Sequence, residues 1–422
     1  MKIENLFIKR IKELPAEATT LGHKLALKGG YIHQTGAGLY TYSSIGFRVL
    51  QNIKQIICEE LNKIGCQEIN MPVISPLSLW RETGRENIDI LLKFKNRAGT
   101  DSVINPTHEE IVTDYARGII NSYKQLPISP NSLCLYQIQT KYRDELRVRA
   151  GLIRCREFMM KDAYSFHVSM EDLDNYYDIM KDTYLKIYER IGLRNVVVAE
   201  APGGDMGGNV SHEFQMLNDS GEDTIYTCKS CGVSYNKEIL ETQTSHSCPK
   251  CGGDLKSDRG IEIGNIFKLN DKYSKPMKCI FNDANGEQKN VVMGCYGIGV
   301  SRVFGCLLEQ NTDDKTIVFN REIAPFKIHI VSIGNDGDVV DFAMKLHNDL
   351  EKYFNVIVDT TDDRAGSKFA NADLIGAPIR IVVSRKNMDK GVCEMKYFGL
   401  SGGYPQEIKI SEVESRVKEI IL

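Results

Sequence analysis

Gln137-Ile-Gln-Thr-Lys-Tyr-Arg143-Asp-Glu145, the basic run Leu146-Arg-Val-Arg-Ala-Gly-Leu-Ile153, and Arg154-Cys-Arg-Glu-Phe158-Met-Met160-Lys-Asp162 form the stretch that decides the fold. It reads as a strand, an arginine-rich loop and a returning strand. Such a hairpin brings Arg143, Arg154, Phe158 and Asp162 to one sheet surface, because alternate residues of a strand share a face. Guanidinium forks match phosphate and carboxylate oxygens in two-point contacts, and an aromatic ring beside them can stack on a purine. The combination points to an ATP site. The same charges also suit a surface hairpin laced with ion pairs, and charge alone does not separate the two.

Working outward, residues 46–64 place Val49, Ile53, Ile56, Ile57 and Leu61 on one helical face, with Gly65 as a stop. Gln67 to Val73 reads as a short strand. Residues 169–191 repeat apolar side chains at steps of three and four (Leu173, Tyr177, Met180, Tyr184, Ile187, Ile191), with Ser169 as N-cap and Glu171 and Asp172 in the first turn. Cys134–Gln139, Asn195–Ala199 and Val291–Met293 read as strands. These elements do not alternate regularly, so an α+β domain on a mainly antiparallel sheet is expected. The tail differs. Phe326–Ile333, 338–353, Val356–Asp359, 367–376 and Ile379–Ser384 read as βαβαβ, a small α/β domain with a largely parallel sheet.

At 422 residues the chain has room for two or three domains. Its net charge of −3 argues against nucleic-acid binding through bulk charge, though not against a local basic patch. No stretch approaches the ~20 apolar residues of a membrane span, and Met1-Lys2-Ile3-Glu4-Asn5 has no apolar signal core. The expectation is a cytoplasmic protein without a membrane partner, whose twelve cysteines are not a disulfide framework.

Four of those cysteines stand apart. Cys228-x-x-Cys231 and Cys248-x-x-Cys251 are separated by sixteen residues, and each pair is followed by a glycine, Gly232 and Gly252. The spacing matches a four-thiolate structural zinc site, in which the metal replaces a core that residues 222–260 are too short to build. A metal-free loop and a redox dithiol are the alternatives. The other eight cysteines read as small buried apolar residues.

The residues also resemble a known family. Tyr142-Arg143-x-Glu145, loop, Arg154-x-x-x-Phe158-x-x-x-Asp162 resembles motif 2 of the class II aminoacyl-tRNA synthetases. Gly294-Cys295-Tyr-Gly-Ile-Gly-Val-Ser-Arg302 resembles motif 3, and Gly65 through Pro72 resembles motif 1, the dimer-interface motif. A glycine-rich run alone is weak evidence; three motifs in order are strong. Pro106-Thr107-His-Glu109-Glu110, Arg156 to Phe166, Ser211-His212-Glu-Phe214, Asp362-Asp-Arg364 and Asn371 to Gly376 are similar to bacterial prolyl-tRNA synthetases, and the likeness covers nearly the whole chain.

The resemblance implies a catalytic domain at 1–221 and 261–315, interrupted by a zinc-ribbon-like unit of four cysteines at 222–260, and an anticodon-binding domain at 324–422. It implies formation of prolyl-adenylate from L-proline and ATP, with Mg²⁺, and transfer to tRNA(Pro) by a homodimer. Arg143 would hold the α-phosphate and substrate carboxylate, Glu145 would orient the nucleotide, Phe158 would stack on adenine, and Arg302 would reach the distal phosphates. Arg154 belongs to the same ATP set. Thr107 and Glu109 would accept from the proline ammonium. Met160, Asp162, His212, Phe214 and Cys295 would wall its ring, although His212, Phe214 and Cys295 also suit plain core packing. A ring-sized pocket excludes alanine poorly, since a methylene contributes only ~1–3 kcal/mol.

The chain departs from the family in three places. Residues 167–292 leave no room for the usual editing insertion, so any clearing of alanine would need a separate protein. The motif 2 loop reads Arg147-Val148-Arg149-Ala150-Gly151 where the family usually has Arg-Pro-Arg-Phe-Gly. The tail after Asp362-Asp-Arg364 is short, which touches the candidate anticodon contacts Arg364, Lys368 and Arg385. The competing readings are a threonine- or glycine-specific relative and a catalytically silent RNA-binding protein. The first lacks the Cys and His ligands of a threonine site, and retention of Arg143, Glu145, Phe158 and Arg302 together speaks against the second.

Overall fold

The computed structural model describes residues 1–8, 11, 13–206, 211–241, 247–311, 313–334, 336–398 and 403–421. By internal contacts they form two units, one of Gly36–Leu39 and Lys54–Cys306, the other of Met1–Thr35, Tyr40–Ile53 and Leu307–Leu422. The first 35 residues, expected in the catalytic part, thus group with the tail.

The larger unit is built on a nine-stranded sheet. Its strands in chain order are β1 (Gln67–Glu68), β2 (Leu133–Tyr142), β3 (Glu157–His167), β4 (Val196–Ala201), β5 (Ser211–Leu217), β6 (Asp223–Cys228), β7 (Ser234–Asn236), β8 (Leu255–Asn270) and β9 (Val292–Gly299). Their spatial order is β5-β4-β7-β6-β8-β9-β3-β2-β1, with β5 also pairing with β8. The central ladder β6-β8-β9-β3-β2 is antiparallel throughout, as expected; only β1–β2 and β4–β7 run parallel. The strand expected at Gln67–Val73 shrinks to two residues.

Helix Met170–Ile191 covers one face of this sheet. The Ser169 side chain accepts from the Asp172 amide, Gly192 at φ 89 ends the helix, and Leu173, Tyr176, Tyr177, Met180, Tyr184, Ile187, Tyr188 and Ile191 are buried. That is the stripe read from the sequence, and it packs on β3, β8 and β9. The four-cysteine segment does not stand apart from the sheet. β8 runs unbroken from Leu255 to Asn270, across residues 260–261, so the segment shares a strand with the catalytic core.

In the second unit β10 (Ile328–Ile333), β11 (Val356–Asp359), β12 (Ile379–Ser384), β13 (Val392–Tyr397) and β14 (Gln406–Lys409) lie in the order β11-β10-β12-β13-β14. The first three are parallel, as the βαβαβ reading requires; β13 and β14 add an antiparallel edge. Helices Gly337–Leu350 and Ala365–Ile375 supply the crossovers. No helix among the described residues is long and apolar enough to cross a membrane.

Candidate active site

Alternation along β3 sends Phe158, Met160 and Asp162 into a cavity of about 490 Å³. Lys161 points to the other face, where its Nζ bonds the Tyr296 carbonyl at 3.0 Å and lies 4.3 Å from the Tyr184 ring centroid. Thr107, Glu109, Arg143, Glu145, Arg154, Cys295 and Arg302 line the same cavity. On the helix-covered face Gly264 lets β8 approach helix Met170–Ile191 closely: a Cβ on it would meet Tyr188 Oη at 2.2 Å and the Gly297 carbonyl at 2.8 Å.

At one end Glu109 is fully buried. Thr107 Oγ1 donates to its Oε1 at 2.8 Å and Cys295 Sγ lies 3.3 Å from the same oxygen. Its Oε2 has no hydrogen-bond partner and faces Arg85 NH1 at 3.5 Å. A buried carboxylate oxygen left without a donor is costly, and it is suited to a cationic amine. Arg85 is anchored on Glu110 at 3.0 Å and lies between the Trp80 and Tyr273 rings, at 5.2 and 5.3 Å.

Behind this end lies a buried charge network. Lys141 Nζ meets Asp162 Oδ1 at 2.9 Å and His108 Nδ1 at 2.6 Å, while Gln137 and Tyr164 each donate to Asp162 Oδ2 at 3.0 Å. Burial alone would raise the Asp162 carboxyl, but Lys141 and His108 beside it hold it below its ordinary value. Burial, and then the Lys141 charge, push His108 down to about 4, so its ring is neutral near pH 7. Asp162 lines the cavity with its acid already engaged.

At the other end Arg143 and Arg302 share the cavity. Arg143 is depressed first by burial and then by the Arg302 charge, its Nε has no hydrogen-bond partner, and its guanidinium lies 5.2 Å over the Phe158 ring. One face of Phe158, expected to stack on adenine, therefore carries an arginine. Arg302 donates to the Ile153 carbonyl at 2.8 Å and the Glu262 carbonyl at 2.6 Å, and pairs with Glu262 Oε2 at 3.4 Å. Arg154 is tied to Glu145 at 2.6 Å and Glu222 at 2.9 Å.

Two expected wall residues lie elsewhere. His212 and Phe214 occupy alternate positions of β5 and face helix Met170–Ile191: Phe214 packs on Tyr184 and Tyr188 at 5.0 and 5.5 Å, and His212 Nδ1 lies 2.9 Å from Tyr177 Oη. Strand parity puts both on the side of the sheet away from Asp162. In the tail, Lys368 is 1% exposed, bonding the Ser332 carbonyl at 2.9 Å and facing Asp359 at 3.6 Å, which removes it from any surface. Arg385 is paired with Asp336 and Asp338, and Arg364 is exposed. Arg85, Glu262 and Asn265 line the cavity and were missed; the only sequence signal was a charged residue, Glu262, inside the apolar run Ile261–Ile263.

The four thiols converge. The Sγ atoms of Cys228, Cys231, Cys248 and Cys251 lie within 4.8 Å of one another, with Cys228–Cys251 at 3.5 Å and Cys231–Cys248 at 3.7 Å. A tetrahedron with zinc–sulfur bonds of about 2.3 Å has edges of about 3.8 Å, so the set fits zinc. Gly232 and Gly252 take φ 74 and 73, and their amides close onto the Cys228 and Cys248 carbonyls at 3.0 and 2.8 Å, making two equivalent knuckles. Of the other eight cysteines, seven are buried and Cys58 is half-buried.

An antiparallel sheet that brings to one cavity an arginine just past β2, Arg143, and another on helix Val300–Glu309 after β9, Arg302, is the arrangement of a class II aminoacyl-tRNA synthetase core. The chain matches the tRNA synthetase class II core domain (G, H, P, S and T) over residues 92–311 and the anticodon binding domain over 327–420. It is 41% identical over 425 residues to the proline–tRNA ligase of Wolbachia pipientis wMel, covering 98% of each chain. The proline–tRNA ligase of Oleidesulfovibrio alaskensis is 32% identical over 548 aligned positions, more than this chain's 422 residues, so that relative carries sequence this chain lacks. A solved prolyl-tRNA synthetase from Cryptosporidium parvum, complexed with L-proline and AMP, shares the fold at TM-score 0.76 and 17% identity, over 96% of this chain and 76% of that one. The chain belongs to the proline–tRNA ligase family of class II synthetases.

Proposed function

We propose that the residues assembled above carry out the reaction of that family: proline and ATP form prolyl-adenylate and pyrophosphate, and the prolyl group passes to the 3′ end of tRNA(Pro). The observation that carries the reading is a buried Glu109 oxygen that accepts no hydrogen bond and has only the Arg85 charge at 3.5 Å, in one cavity with the guanidinium groups of Arg143 and Arg302. Glu109 and Thr107 take the proline ammonium. Cys295 and Met160 bound the ring. Arg143 draws the proline carboxylate and the α-phosphate together, and Arg302 neutralises the distal phosphates. The carboxylate attacks phosphorus in line and pyrophosphate leaves. The nucleophile is already ionised, so no general base is needed, and positioning and charge neutralisation supply the catalysis.

Glu145 and Glu262 offer the oxygen donors a hard cation takes, and Mg²⁺ held there would spread the phosphate charge. Zinc at the four thiolates would close the knuckles structurally, with no part in the chemistry; metal analysis of the purified protein should find one zinc per chain, and a chain without it would sink this assignment. Arg364 is the remaining candidate anticodon contact. The likeness of Gly65–Pro72 to the dimer motif supports a homodimer, family membership supports a cytoplasmic location, and the shortness against the longer relative supports a separate protein for removing alanine.

The test is amino-acid-dependent exchange of pyrophosphate into ATP. Exchange with proline is expected. Exchange with threonine or glycine instead would refute the substrate, and none with any amino acid would favour a silent protein.

A further inference from the structure

Glu222, at the head of β6, has no part in the reaction so far. Its Oε2 accepts from Arg154 NH1 at 2.9 Å, and its Oε1 pairs with Arg149 Nε. Both arginines belong to the loop joining β2 to β3, and Arg154 also holds Glu145. The first half of the loop is exposed, Leu146 to 90%, and Ala150 and Gly151 then turn the chain through left-handed conformations at φ 53 and 59, after which Leu152, Ile153 and Cys155 are buried. One carboxylate thus ties down two guanidinium groups of this loop. Arg154 keeps its Nε, and Arg149 its two terminal amino groups, unpaired among the described residues.

Glu222 is itself fixed. Arg259 on β8 donates to the Gly221 carbonyl at 2.9 Å and the Glu222 carbonyl at 2.7 Å. From there β6 pairs with β8, Asp223 opposite Gly260 at one end and Cys228 opposite Leu255 at the other, where the four thiols meet. Beyond Gly260 the same β8 carries Glu262, the partner of Arg302. A ribbon fastened at its far end by the thiol cluster therefore presents one carboxylate to Arg149 and Arg154 and another to Arg302.

We infer that Glu222 is a positioning residue for ATP, and that the four-cysteine ribbon is the strut that holds it against the nucleotide loop. The inference rests on the cavity being the ATP site. A guanidinium already held along one edge gives up less freedom when a phosphate meets its other donors. Without the tie, Arg154 keeps Glu145 alone, and more of its order must come from the nucleotide.

The test uses the full chain and Glu222→Gln, which keeps the size and removes the charge. Pyrophosphate exchange is measured while ATP and proline are varied in turn. Loss of one charge-assisted tie predicts a KM for ATP raised about tenfold, with KM for proline, kcat at saturating ATP and Tm unchanged. Glu222→Asp, which restores the charge one methylene short, should recover part of the loss. Adding Arg154→Met to Glu222→Gln should cost less than the sum of the two single effects. An unchanged KM for ATP overturns the proposal. So does a lowered one, which would make Glu222 a competitor for the arginines, and so does a parallel rise in both KM values with a lower Tm, which would make it a fold residue only. If the unaltered chain shows no exchange, the function is refuted instead. Direct ATP binding to the chain and to Glu222→Gln then decides the role of Glu222: weaker binding by the variant supports it and equal binding sinks it.

Discussion

The two ends of the cavity hold their charges in opposite ways. At the Glu109 end, Arg85, Glu109, Glu110, His108, Lys141 and Asp162 are all under a tenth exposed. At the Arg154 end, the side chains of Arg149, Arg154, Glu145 and Glu222 are 57, 39, 16 and 24% exposed. Charges buried together interact strongly and in one arrangement, set before any ligand arrives. Charges on long exposed side chains are screened and adjustable. The first end suits recognition of a small rigid amino acid; the second suits a flexible triphosphate that must enter and leave.

The strongest way to break this comparison is to remove one charge from each end. Asp162→Asn leaves the Lys141 ammonium buried without its carboxylate, and unfolding by denaturant should show a loss of about 3–5 kcal/mol. Arg149→Ala, at the exposed end, should lose less than about 1 kcal/mol in the same titration. Equal losses would mean the two ends are not held differently.

A smaller effect sharpens the comparison through pH. His108 lies at about 4 in the folded protein, below its ordinary 6.5. The unfolded chain therefore binds a proton that the folded chain refuses as pH falls through this window. Stability should be full above about pH 7 and decline toward pH 4, by about 2 kcal/mol at pH 5 from this group alone. Asp162, held below its ordinary value, adds to the loss in more acidic solution. His108→Gln should flatten the decline between pH 7 and 5; an unchanged slope would show that His108 is not the group responsible.

Much of the site was legible because its chemistry is local. Arg143, Glu145, Arg154, Phe158, Met160 and Asp162 sit on one hairpin, and strand parity assigns their faces. Helix Met170–Ile191 was legible from its apolar spacing and Ser169, and the thiol set from its two knuckles. His212 and Phe214 were misplaced because a motif names a strand without saying which side of it meets the ligand. Lys368 reads in sequence as a surface cation because charge predicts exposure, whereas the fold supplies the Asp359 and Ser332 partners that let it be buried. Arg85 and His108 could not be found by pattern, since Arg85 meets Glu110 on helix Glu109–Arg117, and His108 meets Lys141 and Asp162, only once segments distant in sequence are folded together.

The sequence by itself determined the β2–β3 hairpin, helix Met170–Ile191, the sheet class, the family and the thiol cluster, because each depends on residues close in the chain or on spacing that repeats. The tertiary structure alone decided which side chains share the cavity, which acids are already occupied, and that Glu222 reaches Arg149 and Arg154. Those facts arise where strands distant in sequence are brought within hydrogen-bond distance, and there burial decides whether a charge is free or spoken for.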